Sequence, residues 1–345
     1  VNEKKEIRFG MGAIKGVGKN AVKTIVDNRK EKRYESIFDL VKRIDLRSAN
    51  KKTFENLILA GGLDSFDHVH RAQYFNPDVD GITFLERTLR YGSKYQENVN
   101  SSQISLFGEK TEKTYQDLTV PPCEKWDDLI QLKREKEVVG IYISAHPLDS
   151  FKQEIKYFVS ISFSNMGDLN PLINKEFWVA GIINDVENLE TKNGRSWAKF
   201  IVEDFTDQYE FRIFGEDYLR FRHFLVVNQF IRIKILVKEG WYSKENGRQG
   251  DPRIQFMSFE LLEDTIVKNS KKLTFQINID QIKDGLVEKI ERNLNGYKGK
   301  KHLFFDIYDN DEKMKITLNS KKNKIDITPK LLKELDNQNF EFKLN

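Results

Sequence analysis

The sequence predicts a multidomain α+β protein with a basic helical N-terminal region, a five-stranded barrel after it and a small α/β module at the end. Three observations predict this. Apolar residues keep helical spacing through the first part of the chain. From Glu176 they alternate with polar residues in short runs separated by turn residues. Beyond residue 266 strand-like and helix-like runs follow one another. The expected divisions are 1–97, 98–122, 123–170, 171–265 and 266–345.

Composition bounds the function classes. The 345 residues are 39% hydrophobic and 12% aromatic, with 25 phenylalanines, which supplies several cores and excludes wholesale disorder. A single cysteine, Cys123, excludes a disulfide framework and a cysteine-based zinc site, and fits a reducing cytoplasm. No run approaches the roughly eighteen apolar residues of a membrane span, and the N-terminus is no signal peptide. The chain begins at Val1 and reads as a piece of something longer. Its net charge of +4 is uneven: residues 1–60 hold 15 Lys and Arg against 8 Asp and Glu, and the rest hold 42 against 45. The positive field lies at one end, where it favours a polyanion.

Within that end, Gly12-Ala13-Ile14-Lys15-Gly16-Val17-Gly18-Lys19-Asn20-Ala21 opens a helix carried by Ala21, Val22, Ile25 and Val26. Gly16 and Gly18 permit positive φ and leave backbone amides uncovered at a helix N-terminus, where partial positive charge accumulates. Lys15 and Lys19 bracket them, so Lys15-Gly16-Val17-Gly18-Lys19 forms a socket for one phosphate. The pattern is a helix-hairpin-helix, which grips the duplex backbone without reading bases; the alternative is a plain glycine-rich turn. A weaker second copy follows. Asn50 or Ser48 caps a helix with Phe54, Leu57, Ile58 and Leu59 on its apolar face, Lys51 and Lys52 reach for a phosphate, and Ala60-Gly61-Gly62-Leu63 turns out of it. Asn76-Pro77-Asp78-Val79-Asp80-Gly81 carries two carboxylates without a third, and reads as a polar loop rather than a metal site.

Residues 84–97 look helical and lead to Gln103-Ile104-Ser105-Leu106-Phe107, set between polar flanks. Leucine and phenylalanine side by side in such a segment suit insertion into a partner's apolar pocket, with the Gln103 amide fixing register at its rim. The pentapeptide resembles the bacterial sliding-clamp-binding motif, with Ile104 where leucine is usual; otherwise Leu106 and Phe107 fold back onto their own domain. A connector helix follows, with Trp126, Leu129, Ile130 and Leu132 at helical spacing. His146, before a proline, has no local partner for catalysis and reads as structural.

The strands expected next are Phe177–Ile183, Trp197–Glu203, Tyr209–Phe214, Phe230–Val237 and Arg253–Leu262. The first pair is joined by a turn on Asn193-Gly194, and a helical link at Tyr218–Phe221 follows the third. Five strands with a helix after the third mark an oligonucleotide-binding (OB) barrel. With Ala198, Phe200, Val202, Phe211 and Ile213 inward, Trp197, Lys199 and Arg212 point out. Together with Lys192 and Arg195 they form a stacking-plus-cation face for single strands; the alternative packs Trp197 beneath a neighbour. The last module offers strands at Leu273–Ile279, Lys301–Tyr308 and Met314–Leu318 and helices at Leu286–Asn293 and Pro329–Leu335, with no chemistry of its own.

Ile7–Gly18, Gln103–Phe107 and Glu137–Leu148, in this order and with this barrel, resemble the C-terminal third of the bacterial DNA polymerase III alpha subunit over residues 6–345. That resemblance implies duplex binding by the hairpins, sliding-clamp (beta subunit) binding by Gln103–Phe107, template contact by the barrel and clamp-loader (tau subunit) docking by the last module. It implies a cytoplasmic, nucleoid-associated replication protein. The family's palm with its three catalytic aspartates and magnesium is not in this sequence, so no catalytic residue, metal or cofactor is expected here. Two other classes remain: an accessory of a nuclease or ligase, and a scaffold whose hairpins and barrel contact protein alone.

Overall fold

The computed structural model describes residues 9–100, 118–243, 248–283, 285–321 and 323–345. The chain divides into two compact units, Val1–Pro147 and Leu148–Asn345. The expected connector, 123–170, is shared between them.

The first unit is helical. After a 3-10 turn at Met11–Ala13 come α1 (Lys19–Glu31), α2 (Ile37–Arg43), α3 (Lys51–Leu59), α4 (Arg71–Phe75), α5 (Phe84–Asn100) and α6 (Asp128–Val139). Short polar side chains start several of these helices by accepting from their free amides: Ser36 from Asp39, Asn50 from Thr53 and Asp127 from Leu129. Of the two N-caps considered for α3, Asn50 is used, and Ser48 instead donates to Asp45. One core joins the helices, with Val41, Phe54, Ile58, Tyr74, Phe84 and Leu85 at its centre. Phe38 meets Phe84 and Tyr91 edge to face, an arrangement that adds to simple area burial. Helices α2 and α4 do not emerge from the sequence pattern, each being too short for periodicity to register.

The second unit holds two sheets. A short helix α7 (Lys152–Phe158) precedes β1 (Glu176–Glu190), β2 (Ser196–Glu203), β3 (Gln208–Phe214), α8 (Gly215–Phe221) and β4 (Phe230–Lys238). A small hairpin, β5 (Tyr242–Ser243) with β6 (Arg248–Gln249), interrupts the path to β7 (Arg253–Leu261). The large strands form an antiparallel sheet in the order β3-β2-β1-β4-β7. The long β1 pairs with β4 through Glu176–Ile182 and with β2 through Ile182–Glu190, shifting register between Ile183 and Asp185. That exchange of partners lets one sheet curl around one core. Val179, Ala198, Phe200, Val202, Ile213, Ile231 and Ile233 are fully buried, so the alternation read from sequence is the observed one. Strand number and the helix after the third strand are also as expected.

The last module begins with α9 (Thr265–Asn269) and β8 (Lys272–Asn278) and continues through α10 (Leu286–Leu294), β9 (Lys298–Asp309), β10 (Met314–Asn319), α11 (Pro329–Asn337) and β11 (Phe342–Leu344). Its sheet runs β10-β9-β8-β11, with β8 and β9 parallel and α10 between them in sequence. Ile290, Leu331, Leu332 and Leu335 join Leu273, Phe275 and Leu303 in its core. Lys301 donates to the carbonyls of Ile266, Val267 and Ile327. Among the described residues, no helix is long and apolar enough to cross a membrane.

Candidate nucleic-acid interface

The first hairpin is anchored from below and open above. Ile14 and Val17 are buried, whereas Lys15, Gly16, Gly18 and Lys19 are exposed. Gly16 has φ +72°, a left-handed conformation natural to glycine. Gly18 departs from expectation: its φ is −75°, and it serves as N-cap of the thirteen-residue α1. Among the described residues the amides of Gly16, Gly18 and Lys19 meet no acceptor, and the ammonium groups of Lys15 and Lys19 meet no carboxylate. Unpaired donors, a helix N-terminus and two unpaired cations converge on one exposed loop, which is what a phosphate requires.

The loop is held rigid from behind. Lys15 donates its amide to Val138 O at 2.8 Å, tying the hairpin to the end of α6. The Asn56 side chain on α3, itself 2% exposed, donates to Lys15 O. A Cβ on Gly16 would lie 2.7 Å from Asn56 Nδ2, so any side chain there would displace this brace.

The second hairpin is built differently from expectation. Gly61 N donates to Ile58 O at 3.0 Å and Gly62 N to Leu57 O at 2.7 Å, so these amides are spent closing α3. A Cβ on Gly61 would lie 2.2 Å from an Arg71 Nη, and the space above this turn is filled by that guanidinium. Lys51 and Lys52 stand at the opposite end of α3, about 13 Å away by helical rise. The same Cβ built on Gly16 would lie 3.9 Å from Lys52 Cγ, so Lys52 belongs beside the first hairpin. Lys51 is occupied, 2.7 Å from Glu86 and 3.7 Å from Glu55; Lys52 is 3.4 Å from Glu55. The hydrogen bond from Lys51, with those from Thr83, lowers the Glu86 carboxyl to about 2.

Arg71 instead organises a buried charge network. Its guanidinium clamps Asp64 through Nε and Nη2, the shortest contact being 2.6 Å, and reaches Glu135 at 3.1 Å. Glu135, 0% exposed, also accepts from the amides of Ile143 and Ser144 and from the Ser144 hydroxyl. Burial pushes the Glu135 carboxyl up, yet the bonds from Ser144, Ile143 and Arg71 together bring it below its ordinary value.

In the polar loop, Asp78 Oδ1 accepts from Asp80 N and Ile82 N, and its other oxygen lies 3.6 Å from Arg87. Asp78 is thus engaged in closing this turn. The segment Gln103–Phe107 lies outside the described residues.

On the curled sheet, Trp197, Lys199 and Arg212 do point outward, and Lys192 and Arg195 are exposed on the β1–β2 turn. The cations on the strands are compensated, however. Lys199 lies 3.0 Å from Glu187 and 4.0 Å from Glu210, and Arg212 lies 2.9 Å from Glu210. Trp197 stacks on Phe214 with centroids 4.9 Å apart, and Phe214 is 52% exposed. Leu189 and Phe214 flank Trp197 across the neighbouring strands, forming an apolar row beside the charged one. Phe214 is absent from the sequence-predicted face, although alternation from Phe211 and Ile213 already places it outside. Glu187 and Glu210 need the cross-strand register, which no local pattern supplies.

Residues 1–74 match the model of the helix-hairpin-helix motif, and residues 273–345 match that of the DNA polymerase III alpha subunit, C-terminal domain. Curated relatives span the region between. The DNA polymerase III subunit alpha of Borreliella burgdorferi is 28% identical over 91% of this chain and 26% of its own length. That of Buchnera aphidicola is 25% identical over 100% of this chain and 29% of its own, and that of Campylobacter jejuni 31% identical over 61% and 17%. This chain thus spans about a quarter of the length of the first two of these relatives. Matched at both ends by these models and across its middle by these relatives, the chain is similar to the C-terminal region of DNA polymerase III alpha subunits.

Proposed function

We propose that this chain is a non-catalytic, DNA- and clamp-binding part of a replicative polymerase, conferring processivity. The observation that carries the reading is the first hairpin. There the amides of Gly16, Gly18 and Lys19, without an acceptor among the described residues, lie between two lysines on a braced loop. Duplex backbone is the ligand, with Lys52 at the rim and without base readout. The second hairpin supports the first through α3 and Asn56 rather than offering glycine amides of its own. Lys15→Ala with Lys19→Ala should weaken duplex binding for any sequence. Fluorescence anisotropy across a salt series should also show the slope of log K against log salt falling by about 0.9 for each phosphate that the variant no longer neutralises. A slope equal to that of the wild type would assign binding elsewhere.

In this reading Gln103–Phe107 tethers the chain to the sliding clamp, Trp197 and Phe214 give the barrel a stacking face for single-stranded template, and the last module docks the clamp-loader tau subunit. Lys192 and Arg195 at the turn supply the uncompensated charge, because Glu187 and Glu210 neutralise Lys199 and Arg212. Magnesium and the chemistry of nucleotide transfer are assigned to the remainder of the subunit. Leu106→Ala with Phe107→Ala should abolish heat on calorimetric titration with a bacterial sliding clamp while leaving duplex binding intact. Equal binding by both proteins would remove the pentapeptide from the interface.

A further inference from the structure

One aromatic residue takes no part in the face formed by Trp197 and Phe214. Trp241 is 75% exposed, whereas the other three tryptophans are partly covered. It sits on the connection between β4 and β7, immediately before the β5–β6 hairpin. In a five-stranded barrel of this kind, that connection and the one between the first two strands flank the face that receives oligonucleotides. The first-strand connection here carries Lys192 and Arg195.

The indole is fixed in place rather than merely exposed. The Arg253 guanidinium lies 4.1 Å from its ring centroid and donates through Nε to Glu239 O. Arg253 is itself anchored on β7, paired with Lys238 at the end of β4. Gly250 N donates to Trp241 O at 3.0 Å, and the Gln249 side chain donates to Gly240 O. A Cβ on Gly240 would lie 2.1 Å from Gly250 O, so the two sides of the connection touch backbone to backbone. One face of the ring is therefore covered by a cation. The other is open, and a charge able to meet a phosphate sits alongside.

We propose that Trp241, backed by Arg253, is a stacking site for a base of single-stranded nucleic acid. This rests on the reading of the barrel as a single-strand binder and adds a second platform, apart in sequence from Trp197 and Phe214. A flat, preorganised, electron-rich ring next to a guanidinium is the combination that sequence-independent single-strand binders use.

The test is anisotropy with a labelled oligothymidylate of roughly 16 nucleotides, a length one barrel can span, on the full chain and its Trp241→Ala, Trp241→Phe and Trp197→Ala variants. Trp241→Ala should weaken binding by about 5- to 150-fold, the usual worth of one stacked base, and Trp241→Phe should restore most of it. Because the side chain is exposed, thermal unfolding of the variants should match the wild type. If Trp241→Ala binds like the wild type while Trp197→Ala is weakened, the barrel reading stands and the Trp241 site is overturned, its ring being left for a protein contact. If neither substitution changes the affinity, or the wild type does not bind the oligonucleotide, both are overturned.

Discussion

Glu135→Ala should destabilise the first unit by about 3–5 kcal/mol, the usual cost of removing one member of a buried ion pair. The carboxylate is 0% exposed and satisfies four donors from three places: Arg71, the amides of Ile143 and Ser144, and the Ser144 hydroxyl. Its removal leaves Arg71, 6% exposed, with only Asp64 as a charged partner among the described residues, and leaves the two amides without an acceptor. Glu135→Gln should cost less, since a carbonyl oxygen still accepts while the charge facing Arg71 is gone. Asp64→Asn should cost least, because that carboxylate side chain is 49% exposed and water can replace it. The first unit holds α1–α6, the larger share of the helical residues, so the part of the far-UV circular dichroism transition that shifts with these substitutions reports on it. The ranking Ala, Gln, Asn is the test, and equal destabilisation by all three would show that the network acts only as surface charge. Function should follow stability here. Helix α6 ends at Val139, beside the carbonyl of Val138 that receives the Lys15 amide, so loosening α6 should also loosen the first hairpin.

What can be read from sequence follows the range of the interactions concerned. The first hairpin is legible because its glycines, its lysines and the helix it opens lie within ten residues. The outward placement of Trp197, Lys199 and Arg212 is legible because strand alternation has a period of two and Phe200 and Phe211 mark the inside. The second hairpin is misleading because its glycines and lysines lie near one another in sequence and suggest one socket. The helix between them, α3, sets them at its opposite ends. Nothing local announces that Arg71, rather than a ligand, fills the space over Gly61, or that its second partner is Glu135, 64 residues on. The compensation of Lys199 by Glu187 likewise depends on how β1 pairs with β2. Local motifs thus point to what a segment can do, while register and packing decide whether its charges remain available.

Glu154→Gln should stabilise the second unit above neutral pH and remove a stability change between pH 4.5 and 7. Glu154 lies on α7 and is 2% exposed. Burial raises its carboxyl from 4.5 to about 7, opposed only by its own backbone amide. Asp149, Lys152, Lys330, Lys333 and Asp336 line the cleft beside it, yet among the described residues no lysine lies within ion-pair distance of it. The sign follows from proton counting. Between 4.5 and 7 the folded state holds a proton that the unfolded state has released, so stability falls as pH rises through this window. Above 7 both states are ionised, and the buried charge costs on the order of 3 kcal/mol, the interval from 4.5 to 7 taken at 1.36 kcal/mol per pH unit. Below 4.5 both are protonated and the cost vanishes. The glutamine variant is neutral throughout, so wild type and variant should coincide near pH 4 and diverge progressively up to pH 8, the variant being the more stable. Trp178, Trp197 and Trp241 lie in this unit and Trp126 in the first, so urea denaturation followed by tryptophan fluorescence in a Trp126→Phe background reads it directly. Parallel stability curves across that range would mean that Glu154 ionises in contact with water. A divergence of the expected size would make α7, which packs against α9, a place where this chain has retained a buried acid at the expense of stability.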